Sequence, residues 1–132
     1  MLPDHQISPY AVLVTTSPNP LDRVRALCLA YPETEERISH GEPTWFVKGK
    51  VFVMFANNHH NDGRIAIWCA AAPGAQDALT TSDATHYFVP PYVGYRGWLG
   101  VRVDLDLPLA DLEDVIEEAY RAVAPKRLLT LL

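Results

Sequence analysis

The stretch Thr44–Cys69 constrains this chain most, because three of its runs suit β structure better than helix. Trp45–Lys48 is short and mostly apolar; Lys50–Ala56 contains Val51, Phe52, Val53, Met54 and Phe55; Arg64–Cys69 contains Ile65, Ile67 and Trp68. Aromatic and β-branched side chains fit a pleated, half-buried surface. Gly49 permits a tight turn between the first two runs, which therefore read as a hairpin. Asn57–Gly63 has no apolar residue and reads as a longer turn. The spacing predicts a three-stranded antiparallel meander that needs helices over one face. Alternation along Lys50–Ala56 sets Val51, Val53 and Phe55 opposite Phe52 and Met54. Both faces are then apolar, so this strand is central and covered on both sides, or one face is a recognition surface.

The flanks supply the helices. Asn19 can cap a helix, Pro20 suits its first position and Asp22 its first turn. Leu21, Val24, Leu27, Cys28 and Tyr31 recur at three- and four-residue steps, and Pro32 ends the pattern. Residues 1–18, with Pro3, Pro9 and Pro18, read as an N-terminal arm that adds an edge strand or lies on the core, leaving 19–132 as the domain. The acidic segment Glu33–Glu36 and Arg37–Gly41 read as a connection anchored by Ile38. Pro73–Leu79 reads as a short helix, Thr80–Thr85 as a turn, and His86–Val89 and Trp98–Asp104 as strands. The strongest helical stripe is Leu112, Val115, Ile116, Ala119, Tyr120 and Val123, predicting a helix over about Asp111–Ala124. The apolar tail Leu128–Leu132 docks on the core or on a second subunit. The expected fold is one α+β domain with an antiparallel sheet of four or five strands packed against N- and C-terminal helices, as a monomer or a homodimer.

Sixteen acidic against eleven basic residues oppose general adhesion to nucleic acid or to an anionic membrane. No apolar run nears the roughly 20 residues of a membrane span. The start lacks the basic region of a signal peptide, so the expected location is cytoplasmic. Cys28 and Cys69 have no metal or redox spacing and read as reduced core thiols.

Four clusters carry the candidate chemistry. In His40-Gly41-Glu42-Pro43, a histidine beside a carboxylate is a ligand-binding or proton-shuttling candidate, and also what a tight turn requires. His59-His60-Asn61-Asp62 reads as a solvated turn; a metal there would need His40 or His86 as a further ligand, and no metal or cofactor is expected. Lys48, Lys50, Arg64, Arg96 and Arg102 are the basic residues that could contact phosphates, with Tyr92 or Trp98 adding apolar contact. Arg96 and Arg102 can equally pair with Asp104 or Asp106. Tyr87, Phe88, Tyr92, Tyr95 and Trp98 could line a pocket or a protein interface. Non-enzymatic binding is the expected function class. DNA and a protein partner using the Tyr92–Trp98 patch are the leading partners; a small ligand or a reaction centred on His40 is the further alternative.

The chain also resembles a known family. Val24–Ala30 with Tyr31-Pro32-Glu33-Thr34-Glu35-Glu36, then Ser39-His40-Gly41-Glu42-Pro43-Thr44-Trp45-Phe46 and Lys50-Val51-Phe52, are similar in order and spacing to the MmcQ/YjbR proteins. Pro90-Pro91-Tyr92, Gly97-Trp98-Leu99 and Val115–Tyr120 with Lys126 continue the likeness, which spans about Asn19–Arg127. The resemblance implies a curved antiparallel sheet with packed helices, likened to a double wing and commonly labelled DNA-binding. It implies no particular reaction or cofactor.

Overall fold

The computed structural model describes residues 17–132, so the reading of the N-terminal arm lies, but for its last two residues, outside the described residues. The first helix, α1 (Pro20–Leu29), starts where expected: the Asn19 side chain accepts hydrogen bonds from the Leu21 and Asp22 amides. The strands β1 (Thr34–Ser39), β2 (Glu42–Val47), β3 (Lys50–Asn57) and β4 (Ile65–Cys69) follow as a meander. Then come α2 (Ala75–Ser82), β5 (Tyr87–Phe88), β6 (Leu99–Arg102), α3 (Leu109–Val123) and the short α4 (Lys126–Leu129). The six strands form one antiparallel sheet in the order β1-β2-β3-β4-β6-β5.

The sixth strand, beyond the four or five expected, is β1. Its sequence TEERIS lacks apolar alternation because, among the described residues, it is an edge strand bonded on one side, where charges are tolerated and guard against further pairing. Ile38 anchors nothing there and is 70% exposed. The β1–β2 and β2–β3 hairpins close over His40-Gly41 and Lys48-Gly49, and all four residues have positive φ. Two-residue loops of this kind match the strand twist, and glycine in the second position makes them accessible.

Register sorts the side chains into two faces. Trp45, Val53, Cys69 and Leu99 lie opposite one another across β2, β3, β4 and β6. Phe55, Ile67, Val101 and Tyr87 form a parallel row, and both rows are buried. These rows face α1 and α3 and form the core with Val24, Cys28, Leu112, Ile116 and Tyr120. The expected alternation in β3 is broken by a bulge: Trp45 pairs with Val53 and Phe46 with Val51, leaving Phe52 without a partner in β2. Released from the ladder, Phe52 meets the Tyr120 ring edge-on at 5.7 Å. Both cysteines are free and buried, and burial pushes the Cys69 thiol up to about 12. Leu128 is fully buried, so the tail docks on the core through α4, whereas Leu131 and Leu132 are exposed. α2 runs on to Ser82, through residues expected to form a turn, with the Thr80 hydroxyl bonding back to the Gln76 carbonyl.

One carboxylate ties the helical layer to the sheet. Glu36 Oε1 accepts from Arg25 Nε at 2.8 Å and from the buried Trp45 indole Nε1 at 3.0 Å, while Oε2 accepts from Arg25 Nη2 at 3.0 Å. The Arg25 hydrogen bonds, helped by Trp45, hold Glu36 below its ordinary 4.5 despite partial burial. A depressed carboxylate stabilises the fold above 4.5, and this contribution is lost as pH falls through the lower folded-state value. Glu36→Ala strands the Trp45 N–H and is expected to cost about 1–3 kcal/mol in urea unfolding at pH 7. Glu36→Gln should lose less stability than wild type as pH falls from 5 into the acid range, followed by urea unfolding.

On the opposite face the Phe88 ring lies over Gly100, its cross-strand partner; a Cβ there would sit 2.5 Å from ring carbons. Gly100→Ala is therefore expected to destabilise by about 1–3 kcal/mol. Adding Phe88→Ala should recover part of that loss in a double-mutant cycle.

A candidate binding cavity on the open sheet face

The second face of the sheet carries Thr44, Met54, Trp68, Gly100 and Phe88 in one cross-strand row, with Ala56, Ala66 and Arg102 in the next. Among the described residues no helix covers the β2–β4 part of this face in the way α1 and α3 cover the other. Instead a cavity of about 420 Å³ opens there. Its floor is Thr44, Met54, Ala56 and Trp68; its rim is Ser39, His40 and Glu42 from the first hairpin; His59 and Tyr92–Val93 close it from two loops. Of the two readings open for β3, a doubly covered strand or one with a recognition face, the geometry is intermediate: the strand is central, with helices on one side and this concavity on the other.

Both closing loops are fixed in place. In the 58–64 loop, the Asn58 amide donates to the Arg64 carbonyl at 2.6 Å, the Gly63 amide to Asn58 Oδ1 at 2.9 Å, and the Arg64 amide to Asp62 Oδ1 at 2.9 Å. The second loop is held to α2 by Gln76, whose Nε2 donates to the carbonyls of Gly94 (2.8 Å) and Trp98 (2.6 Å). Of the seven non-glycine residues with positive φ among the described residues, five border the cavity or lie in its loops: His40, Asn58, His60, Asn61 and Tyr92. Backbone held in that sparsely populated region marks segments over-determined by their surroundings, which gather at functional sites.

The rings form a cluster. His59 stacks on His60 at 4.0 Å between centroids and meets Trp68 and Tyr92 edge-on at 4.8 and 5.8 Å. The turn expected to be solvated thus inserts His59 against the sheet, while His60 remains exposed. Among the described residues no three or more His, Cys, Asp or Glu gather as they would around a metal. His86 is far along the sheet, its Nδ1 on Asp83 at 2.8 Å and its Nε2 on the Asp106 carbonyl at 3.1 Å. The His86 hydrogen bond holds the Asp83 carboxyl below its usual range.

The two ligand-binding candidates, His40 and Glu42, both line the cavity. Glu42 Oε2 accepts from the Asn57 amide at 2.9 Å. His40 Nδ1 lies 3.1 Å from the Ser39 hydroxyl, a pairing that adjacency in sequence did not suggest. The phosphate-contact candidates are not brought to one surface. Lys48 and Lys50 are exposed at the β2–β3 tip, where Lys48 pairs with Glu33 at 3.6 Å. Arg64 and Arg102 stand at the opposite end of the sheet, roughly 23 Å away along β3. Arg64 lies 4.0 Å over the Phe88 ring and 3.9 Å from Asp62; Arg102 makes two hydrogen bonds to Asp104, at 3.1 and 2.9 Å. Arg96 lies 5.1 Å from the centre of the Trp98 ring. Trp98 itself is 4% exposed, so its ring belongs to the interior rather than to a contact surface. Tyr92 and Tyr95 are exposed, whereas Tyr87 is buried. Sequence reasoning missed Thr44, Met54, Ala56, Trp68 and Val93; the signal for Met54 and Trp68 was an apolar residue on the second face of each strand.

The YjbR family model matches residues 29–122, most of the chain. The chain belongs to the YjbR family. The matched span of this YjbR domain contains the whole sheet and every residue of the cavity wall. Among solved structures, a crystal structure of the Deinococcus radiodurans protein DR2400, described by the family-model domain DUF419, is similar with a TM-score of 0.67. It is 15% identical, and the alignment covers 80% of each chain, a likeness of fold. No curated protein matches the chain. No helix of the described residues is long and apolar enough to cross a membrane.

Proposed function

We propose that this YjbR domain is a binding protein whose ligand, a small and mostly apolar molecule, enters the cavity on the open sheet face. One observation carries this reading: a preformed concavity of about 420 Å³, apolar over most of its wall, with a few polar groups at its rim. Sites for small molecules have this size and this balance of walls and polar anchors. Loops fixed before binding lower the ordering cost of capture. Ala56, on the floor and 4% exposed, is the place to fill it. Ala56→Leu is expected to abolish binding of small aromatic fragments, seen as loss of their ligand-observed NMR signals, with the circular dichroism spectrum unchanged. Undiminished binding by that variant would place the ligand elsewhere.

DNA is the second reading, supported by the exposed Lys48 and Lys50 tip, by Arg96 against Trp98, and by Tyr95, which is 88% exposed. The excess of acidic residues and the separation of the basic ones place it behind the cavity. The two readings use different residues. On the cavity reading neither duplex nor single-stranded DNA binds measurably at about 50 mM salt. On the DNA reading wild type binds there, and K48A/K50A weakens binding and flattens its salt dependence.

A further inference from the structure

Two residues of the cavity wall each hold a buried polar atom without a hydrogen-bond partner among the described residues: His59 Nε2 and Trp68 Nε1. Buried polar groups are satisfied in the large majority of cases, so each exception calls for a partner. The comparison within this chain is direct, because the buried indole of Trp45 donates to Glu36 at 3.0 Å. Trp68 is 6% exposed, and its N–H has no acceptor among the described residues. An indole N–H can only donate, whereas an imidazole nitrogen donates or accepts according to tautomer. The two rings touch edge-on at 4.8 Å. Both residues line the cavity, and their rings and Tyr92 cover the two atoms, so an oxygen acceptor that shifts these rings apart would take an N–H from Trp68, and a second from His59 in the tautomer protonated at Nε2.

The charge at the rim narrows the class of oxygen. Glu42 lines the same cavity, so a ligand carboxylate would meet a like charge at the rim. Among the described residues one Glu42 oxygen is engaged, by the Asn57 amide, which leaves the other able to accept an N–H. A neutral carbonyl with an adjacent N–H answers both needs, accepting from Trp68 and donating toward the rim. Met54, Ala56 and Val93 add apolar contact for the body that carries it.

We infer that the ligand of this cavity is a neutral amide or lactam on an apolar, ring-sized body, its carbonyl held by Trp68 Nε1 with His59 Nε2 beside it. This inference rests on the cavity reading and goes further by naming the chemistry that the site selects. Three matched probes test it on the full chain: benzamide, benzoate and toluene. The readout is the Trp68 indole N–H resonance of the nitrogen-15-labelled protein, assigned in wild type.

Benzamide is expected to move that resonance downfield and to bind at least tenfold more tightly than toluene or benzoate. Trp68→Phe should bring benzamide down to the affinity of toluene while toluene still binds. His59→Ala should narrow the preference by a smaller factor. Equal binding of benzamide and toluene, or a Trp68 resonance that benzamide leaves in place, would overturn the inference and leave the cavity reading standing; an internal water already bonded to the indole would give this result. If no probe perturbs any residue of the wall, both readings fall. The wild-type resonance decides the matter even if Trp68→Phe fails to fold.

Discussion

The hydrogen bonds converging on Glu36 are the interaction on which the architecture depends. Trp45 is the largest fully buried side chain, and its indole N–H would be stranded in an apolar interior without an acceptor. Glu36 reaches it from the neighbouring strand, and Arg25 of the first helix neutralises the carboxylate and orients it. Edge strand, second strand and first helix are joined at one point, with each member satisfying another. A half-completed network of this kind is worse than none, because the remaining charge or donor is left buried. The helices pack on one face of the sheet, and the cavity opens on the other.

That division of labour was partly legible in the residues. The Asn19 cap, the proline boundaries and the stripe Leu112–Val123 marked the two long helices, since local capping and a 3.6-residue period are properties of short segments. The Gly49 turn marked the β2–β3 hairpin for the same reason. The strand Thr34–Ser39 was not legible, because an edge strand bonded on one side needs no apolar alternation. The bulge at Phe52 was invisible too: a single residue dropped from a ladder leaves no trace in the alternating pattern, yet it turns a ring from one face to the other. His40 and Glu42 were singled out for their chemistry, and they do share a wall. Their neighbours in that wall come from β3, β4 and the loop before β6, which only the strand order brings together.

Basic residues show the limit of reasoning from residue type. Arg64 looks like a free cation in the sequence but lies over the Phe88 ring, and Arg102 is clasped by Asp104, one of the two pairings its neighbourhood offered. An arginine bound in a planar pair or stacked on a ring has its donors or its face already committed. Lys48 and Lys50, on a hairpin tip, keep more of their freedom. Conversely, Trp68 looks like an ordinary strand tryptophan and is distinguished by a hydrogen bond that it lacks among the described residues.

The strand order also bears on how the molecule assembles in time. The first four strands form by short hairpins, but β6 must join β4 across a separation of 30 residues, between Cys69 and Leu99. Closing that long segment costs chain entropy that the hairpins do not incur, and non-local pairings of this sort slow folding. The Tyr92 segment belongs to the late-closing part, and the His59 turn to the early one. A nascent or partly unfolded chain with its meander complete would thus present Trp68 uncovered, and ligand capture would report on completion of the last strand pairing.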